Sequence, residues 1–204
     1  MAMKREYKRM GLQLLIFGIL FLALNLSAGD ARCEEDFKTA VQTAKMTGVS
    51  EETISRILVV GVRHDLESKD LVGFLVVVAE AGKRKLPVEP LVDKMEEGLA
   101  KRVETHRIQQ VLRHDLVQYG FVQELLQKRL FEEVYQPENM KSRVVVRLAR
   151  TLSMGIAQNE LQALLQEAPR VSIGEIINAV EFTAALKQAG EEFSEAKDIT
   201  LVGL

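Results

Sequence analysis

Two tetrads of identical sequence, Arg63-His64-Asp65-Leu66 and Arg113-His114-Asp115-Leu116, set an imidazole beside a carboxylate, the side chains most used to hold a metal ion or pass a proton. His106 is the third and last imidazole of the chain. Neighbouring residues on a helix point about 100° apart, so a His and an Asp in sequence on a polar face are solvated surface groups rather than a ligand pair. Glu67-Ser68 is the other candidate, a carboxylic acid of the kind that protonates a glycosidic oxygen. The chain has no Gly-rich phosphate loop, Ser-His-Asp order, nucleophile elbow or paired-Cys metal spacing. No residue is therefore assigned a catalytic, cofactor-binding or metal-ligating role, no cofactor is expected, and the chain is not expected to be an enzyme.

The His-Asp pairs resemble the motif of the helical HD metallophosphohydrolases, which hold a metal through a distant His, an adjacent His-Asp and a further Asp. Here the two pairs lie 50 residues apart. Glu67-Ser68 resembles the Glu-Ser of helical lytic transglycosylases, but the downstream Gly-Leu-Met-Gln-like segment of that family is absent. A periplasmic hydrolase or glycan-cleaving enzyme is kept as the alternative function.

The elements that carry these residues repeat. From residue 34 the apolar residues recur at three and four, the period of helices that bury one face. Laying residues 54–75 over 91–112, a shift of 37, matches Gly61 with Gly98, Val62 with Leu99, Leu66 with Val103, Leu71 with Ile108 and Leu75 with Leu112 without a gap. The shift also places Glu67 on Glu104 and His64 on Lys101, so Glu67 reads as a helix-start residue and the tetrads are not equivalent copies. Segments beginning at Val49, Leu66, Val103 and Val171 read as helix starts, the last with Ser172 and Glu175 at capping-box spacing. Gly82, Gly120 and Gly190 read as C-terminal glycines of second helices. The register lapses after Gly98, so a long or additional helix is expected over 112–136, before a break at Gln136-Pro137. Lys83-Arg84-Lys85 suits the negative end of a helix, and Glu96-Glu97 with Lys101-Arg102 suits a solvated helix face. One hairpin cannot bury its own apolar side, so the expected fold is all-α, with stacked helical hairpins forming a short α-solenoid-like array or layered bundle. The arrangement resembles α-solenoid proteins over residues 49–190, but lacks the Trp, Gly and Tyr signature of tetratricopeptide repeats.

The first residues read as a targeting segment. Residues 1–9 hold four basic side chains, residues 12–26 are almost wholly apolar, and Ser27, Ala28, Gly29 and Ala31 are small, the order of a secretory signal. The apolar run is about 15 residues or roughly 22 Å as a helix, short of the ~20 residues of a bilayer span. Cleavage after Ala28 or Ala31 both satisfy the small-residue rule, and an uncleaved single-pass anchor is the alternative. Cys33, the only cysteine, follows Arg32, a departure from the Leu-small-small-Cys lipobox of lipoproteins, and one thiol cannot form an internal bridge.

Composition agrees. Hydrophobic residues make up 47% of the 204-residue chain, enough for one sizeable core, while aromatics are 5% and tryptophan is absent, which favours Leu, Val and Ala packing between helices. Without residues 1–31 the net charge is about −4, which disfavours nucleic acid as a partner. The domain reading is a signal over 1–31, one helical-repeat domain over 34–198 and an apolar tail over 199–204. The functional expectation is an exported, periplasmic or secreted interaction or scaffold module for a protein or peptide, self-association included, that touches the membrane only through an uncleaved N-terminus. A membrane-anchored structural protein is the further alternative.

Overall fold

The computed structural model describes residues 31–130, 138–167 and 172–203, and every regular element among them is a helix. The signal reading and the Gln136-Pro137 break fall outside these residues. In chain order the helices are α1 (Ala31–Met46), α2 (Glu51–Arg63), α3 (Ser68–Lys83), α4 (Glu89–Ala100), α5 (Thr105–Leu130), α6 (Glu138–Ser153), α7 (Gln158–Glu167), α8 (Ile173–Gln188) and α9 (Phe193–Val202). None is long and apolar enough to cross a membrane. The last helix takes up residues 199–202 of the apolar C-terminal segment.

Six of the turns share one construction. Gly48, Asp65, Lys85, Arg102, Gly155 and Gly190 have φ of 89°, 51°, 55°, 56°, 102° and 104°, the left-handed region. In each, the next residue donates its N–H to the carbonyl five positions back, as in Leu66 to Gly61 at 3.0 Å and Val103 to Gly98 at 3.0 Å. This is the Schellman closure, which satisfies carbonyls left open at a helix end. Two pairs of left-handed positions, 48 and 85, and 65 and 102, are 37 residues apart. The period therefore starts earlier than residue 49, since α1 at 31–46 shifted by 37 coincides with α3 at 68–83. New helices then start on the expected signals. Ser50 accepts from the amide of Thr53 at 3.0 Å, and Ser172 and Glu175 form the reciprocal capping box.

Packing repeats with the same period. A Cβ on Gly61 would lie 2.3 Å from Leu71 Cδ2, and one on Gly98 would lie 2.8 Å from Ile108 Cγ1, so each glycine lets the following helix approach closely. The most extensive helix contact joins α1 and α3; α3 also packs on α5, and α2 packs on α4. Along the rest of the chain α5 meets α6, α6 meets α8, and α8 pairs with α9. One continuous core runs through them, with Phe74, Ile57, Leu91, Leu112, Leu148 and Leu161 fully buried.

Two expected glycine roles are corrected. Gly82 does not end α3 in a left-handed turn; Lys85 does, and Gly82 lies where an added Cβ would come 2.7 Å from the Thr47 carbonyl oxygen. Gly120 sits inside α5, a single 26-residue helix that fills the stretch where the register lapses. The position one period after Lys85 is Val122, fully buried. A β-branched side chain resists the left-handed conformation, so the helix runs through where a third turn would fall.

The non-glycine turns carry a testable cost. A left-handed L-residue costs about 1–2 kcal/mol and glycine's extra unfolded-state entropy offsets part of that, so Lys85→Gly and Arg102→Gly should each stabilise the fold by ~0.5–1 kcal/mol. At Gly155 a Cβ would meet open space, so Gly155→Ala should cost about 1 kcal/mol through φ strain alone. Urea midpoints that move the opposite way would refute this account of the turns.

Candidate functional site

The two tetrads have unrelated fates. His64 closes α2 with φ −104° and ψ 14°, Asp65 is the exposed left-handed turn residue, and Leu66 completes the Schellman bond. Asp and Asn tolerate this conformation better than most residues, which is why an Asp follows the His here. The second tetrad lies within α5, where Asp115 is 4% exposed and accepts a hydrogen bond from Lys94 Nζ of α4. His106 is exposed at the start of α5 beside Glu104, 3.6 Å away. The structure does not bring the three imidazoles together, and among the described residues no three His, Cys, Asp or Glu side chains are placed to hold a metal.

Glu67 stands at the N-terminus of α3, exposed, with its carboxylate 2.7 Å from Lys69 Nζ. Glu104 holds the same place before α5, where Arg107 Nε approaches it at 3.2 Å. Arg84 closes α3 and Lys85 turns the chain, so the basic triplet sits at the carbonyl end of that helix. Glu97 pairs with Lys101 one turn on at 2.5 Å, which holds the Glu97 carboxyl below its ordinary value. Glu96 instead turns to α2 and accepts from Arg56 Nε at 2.6 Å, and Arg102 is spent on the turn.

The most unusual chemistry surrounds Asp115. Shifted by 37, Lys94 falls on Ile57, Asp115 on Val78 and Gln118 on Ala81, and those three apolar residues are 0%, 2% and 0% exposed. Where one copy of the pattern has three core residues, the next has a cation, a carboxylate and an amide. Their polar groups are met in turn. Gln118, 7% exposed, lies with its Nε2 2.8 Å from His114 Nε2 and accepts from Ser153 Oγ of α6 at 3.2 Å. The cluster thereby ties α4, α5 and α6 by polar contacts. Tyr119 beside it is 5% exposed, and burial first, then the charge of Asp115, pushes its hydroxyl up to about 12, so it keeps its proton at neutral pH. Ser153 donates to an amide oxygen rather than to an imidazole or carboxylate, so nothing activates it as a nucleophile. The arrangement can fix helix register and orient a polar contact; it contains no nucleophile with a base behind it.

A second network grips α2 and α4 from outside. Arg56 donates to Glu96 at 2.6 and 2.8 Å, to Asp93 at 2.6 Å and to Glu89 at 3.1 Å. These bonds, Glu96 foremost, raise the affinity of the guanidinium for its proton. Asp93 is the residue one period after Arg56, so equivalent positions pair along the array. The tetrads draw the eye because they match one another, whereas Lys94 and Gln118 emerge only when polar residues are sought at positions that are apolar one period earlier. No protein-family model, no curated protein and no solved structure matches this chain.

Proposed function

We propose that this chain is an exported protein whose stacked helical hairpins present a binding surface for a protein or peptide partner in the periplasm or cell envelope. The observation that supports this most is the 37-residue recurrence of left-handed turns and close-packing glycines. Repeated hairpins stack by burying each other's apolar sides, and the extended surface they leave is the usual place for a macromolecular contact. The surface also keeps large apolar side chains in solvent, among them Val62 at 65% and Val117 at 59%. The n-, h- and c-region order of the first 31 residues supports export.

The test is mass spectrometry on the protein released by osmotic shock after mild cross-linking in cells. A mature N-terminus at Gly29 or Arg32 together with one specific cross-linked protein is the expected result. An intact Met1 found only with membranes, with nothing cross-linked, would replace this reading with the anchored structural one. Loss of phenotype on replacing Glu67, His64 or His114, with the fold intact, would turn it toward the hydrolase.

A further inference from the structure

The outer face of the C-terminal helices is divided by charge. On α6, Val144, Val145, Leu148 and Ala149 point inward, so Arg143, Arg147 and Arg150 lie outward along one side. Arg147 reaches α8, donating to Glu181 at 2.6 and 2.9 Å and to Asn178 at 3.0 Å, which sets this arginine edge next to α8. On the other flank Thr183 of α8 donates to Thr200 of α9 at 2.9 Å, both hydroxyls buried. Consecutive helices joined by so short a turn run antiparallel, so the residues just before that pair, Phe182 and Ile199, turn to the same side. Phe182 is 50% exposed, Ile199 53% and Val202 90%. The basic side chains of this hairpin point elsewhere, Lys187 to Glu160 at 2.5 Å and Lys197 to Glu167 at 2.5 Å. Glu192 and Glu195 at the start of α9, and Asp198 one turn on from Glu195, are exposed and form no ion pair among the described residues.

The face thus reads, from α6 across α8 to α9, basic edge, apolar middle with Phe182, acidic edge. A two-fold axis lying in this face, parallel to the stripes and passing by Phe182, sets each edge against the opposite edge of a second copy, so the pattern complements itself. A one-signed surface would suit a foreign partner of opposite charge; a split surface with an apolar centre suits its own copy. We propose that the outer face of α6, α8 and α9 is the contact surface of a two-fold homodimer, with Phe182 at its centre and the arginine edge of each copy set against the acidic edge of the other. This rests on the interaction-module reading and names its partner as a second copy of the chain.

The experiment is sedimentation velocity on the protein recovered from cells, over a concentration series and in two salt concentrations. A reversible dimer is expected, weakened about 10-fold or more between ~0.05 M and ~0.5 M salt because its rim is charged. Phe182→Ser, the pair Arg143→Glu with Arg150→Glu, and the pair Glu195→Lys with Asp198→Lys should each sediment as monomers. All of these positions are exposed, and circular dichroism checks that each variant keeps its helices. Mixing the two charge-reversed proteins should restore a one-to-one dimer, a rescue that a folding defect could not produce. A wild-type monomer at every concentration, or a dimer indifferent to both charge reversals, would overturn the proposal. Either result leaves the broader binding reading standing if in-cell cross-linking still captures a different protein.

Discussion

Lys94→Ala should destabilise the protein by about 3 kcal/mol, while Asp115→Ala should cost only about 1–2 kcal/mol, although the two residues share one ion pair. The asymmetry follows from exposure. The Asp115 side chain is 6% exposed and that of Lys94 is 43% exposed. Without Lys94 a carboxylate is left in the interior with no cation to offset its lost hydration, whereas without Asp115 the ammonium can swing its flexible stem toward water. The decisive variant restores the previous copy of the pattern at both places, Lys94→Ile with Asp115→Val. Residues of these types are fully buried at positions 57 and 78, so the double variant should come within about 1 kcal/mol of wild type and well above Lys94→Ala, because it leaves no charge unpaired in the interior. Urea unfolding followed by circular dichroism measures all three. A double variant less stable than Lys94→Ala would show that the pair holds the fold together. A stable double variant that no longer captures a partner in cells would assign the cluster to recognition.

That comparison also shows what could be read in the chain before its structure. The period was legible because it is written in residues with little freedom. Gly61 and Gly98 face Leu71 and Ile108 at contact distances no side chain could share, so a gap-free overlay of these four positions is already a statement about packing. Helix starts were legible for the same reason, since Ser50 and Ser172 satisfy amides that nothing else reaches. Helix ends were not. Glycine is expected there, and Gly190 is such an end, but Lys85, Asp65 and Arg102 take the left-handed position elsewhere because the Schellman hydrogen bonds compensate for its strain. Gly82 and Gly120 answer instead to the approach of Thr47 and Arg84, which involve distant segments and leave no local mark. The polar cluster was legible in principle, because Lys94, Asp115 and Gln118 interrupt an apolar register. It was hidden by the repeated tetrad, whose sequence identity joins one exposed turn to one buried helix segment.

The same register predicts a graded series. Residues 37, 74 and 111 are one period apart and carry Phe, Phe and Val. Phe74 is fully buried, Phe37 is half-buried and packs on the core, and Val111 is 46% exposed. The gradient follows from what lies on either side. Helix α3 is held between α1 and α5, whereas α1 has a described neighbour in this row on one side only. Helix α5 is the last member of the series, because it continues through Val122 instead of turning back. Phe74→Ala should therefore cost about 3–5 kcal/mol, the lost transfer energy of a phenyl ring plus the cavity it leaves. Phe37→Ala should cost roughly half as much, and Val111→Ala less than about 0.5 kcal/mol, as for an exposed position away from any cap or network. Urea midpoints for the three variants measure the series directly. If Phe37→Ala matched Phe74→Ala, α1 would be covered on both sides in solution, which would place a further segment of this chain or a partner against it; if Val111→Ala did so, the array would continue past α5.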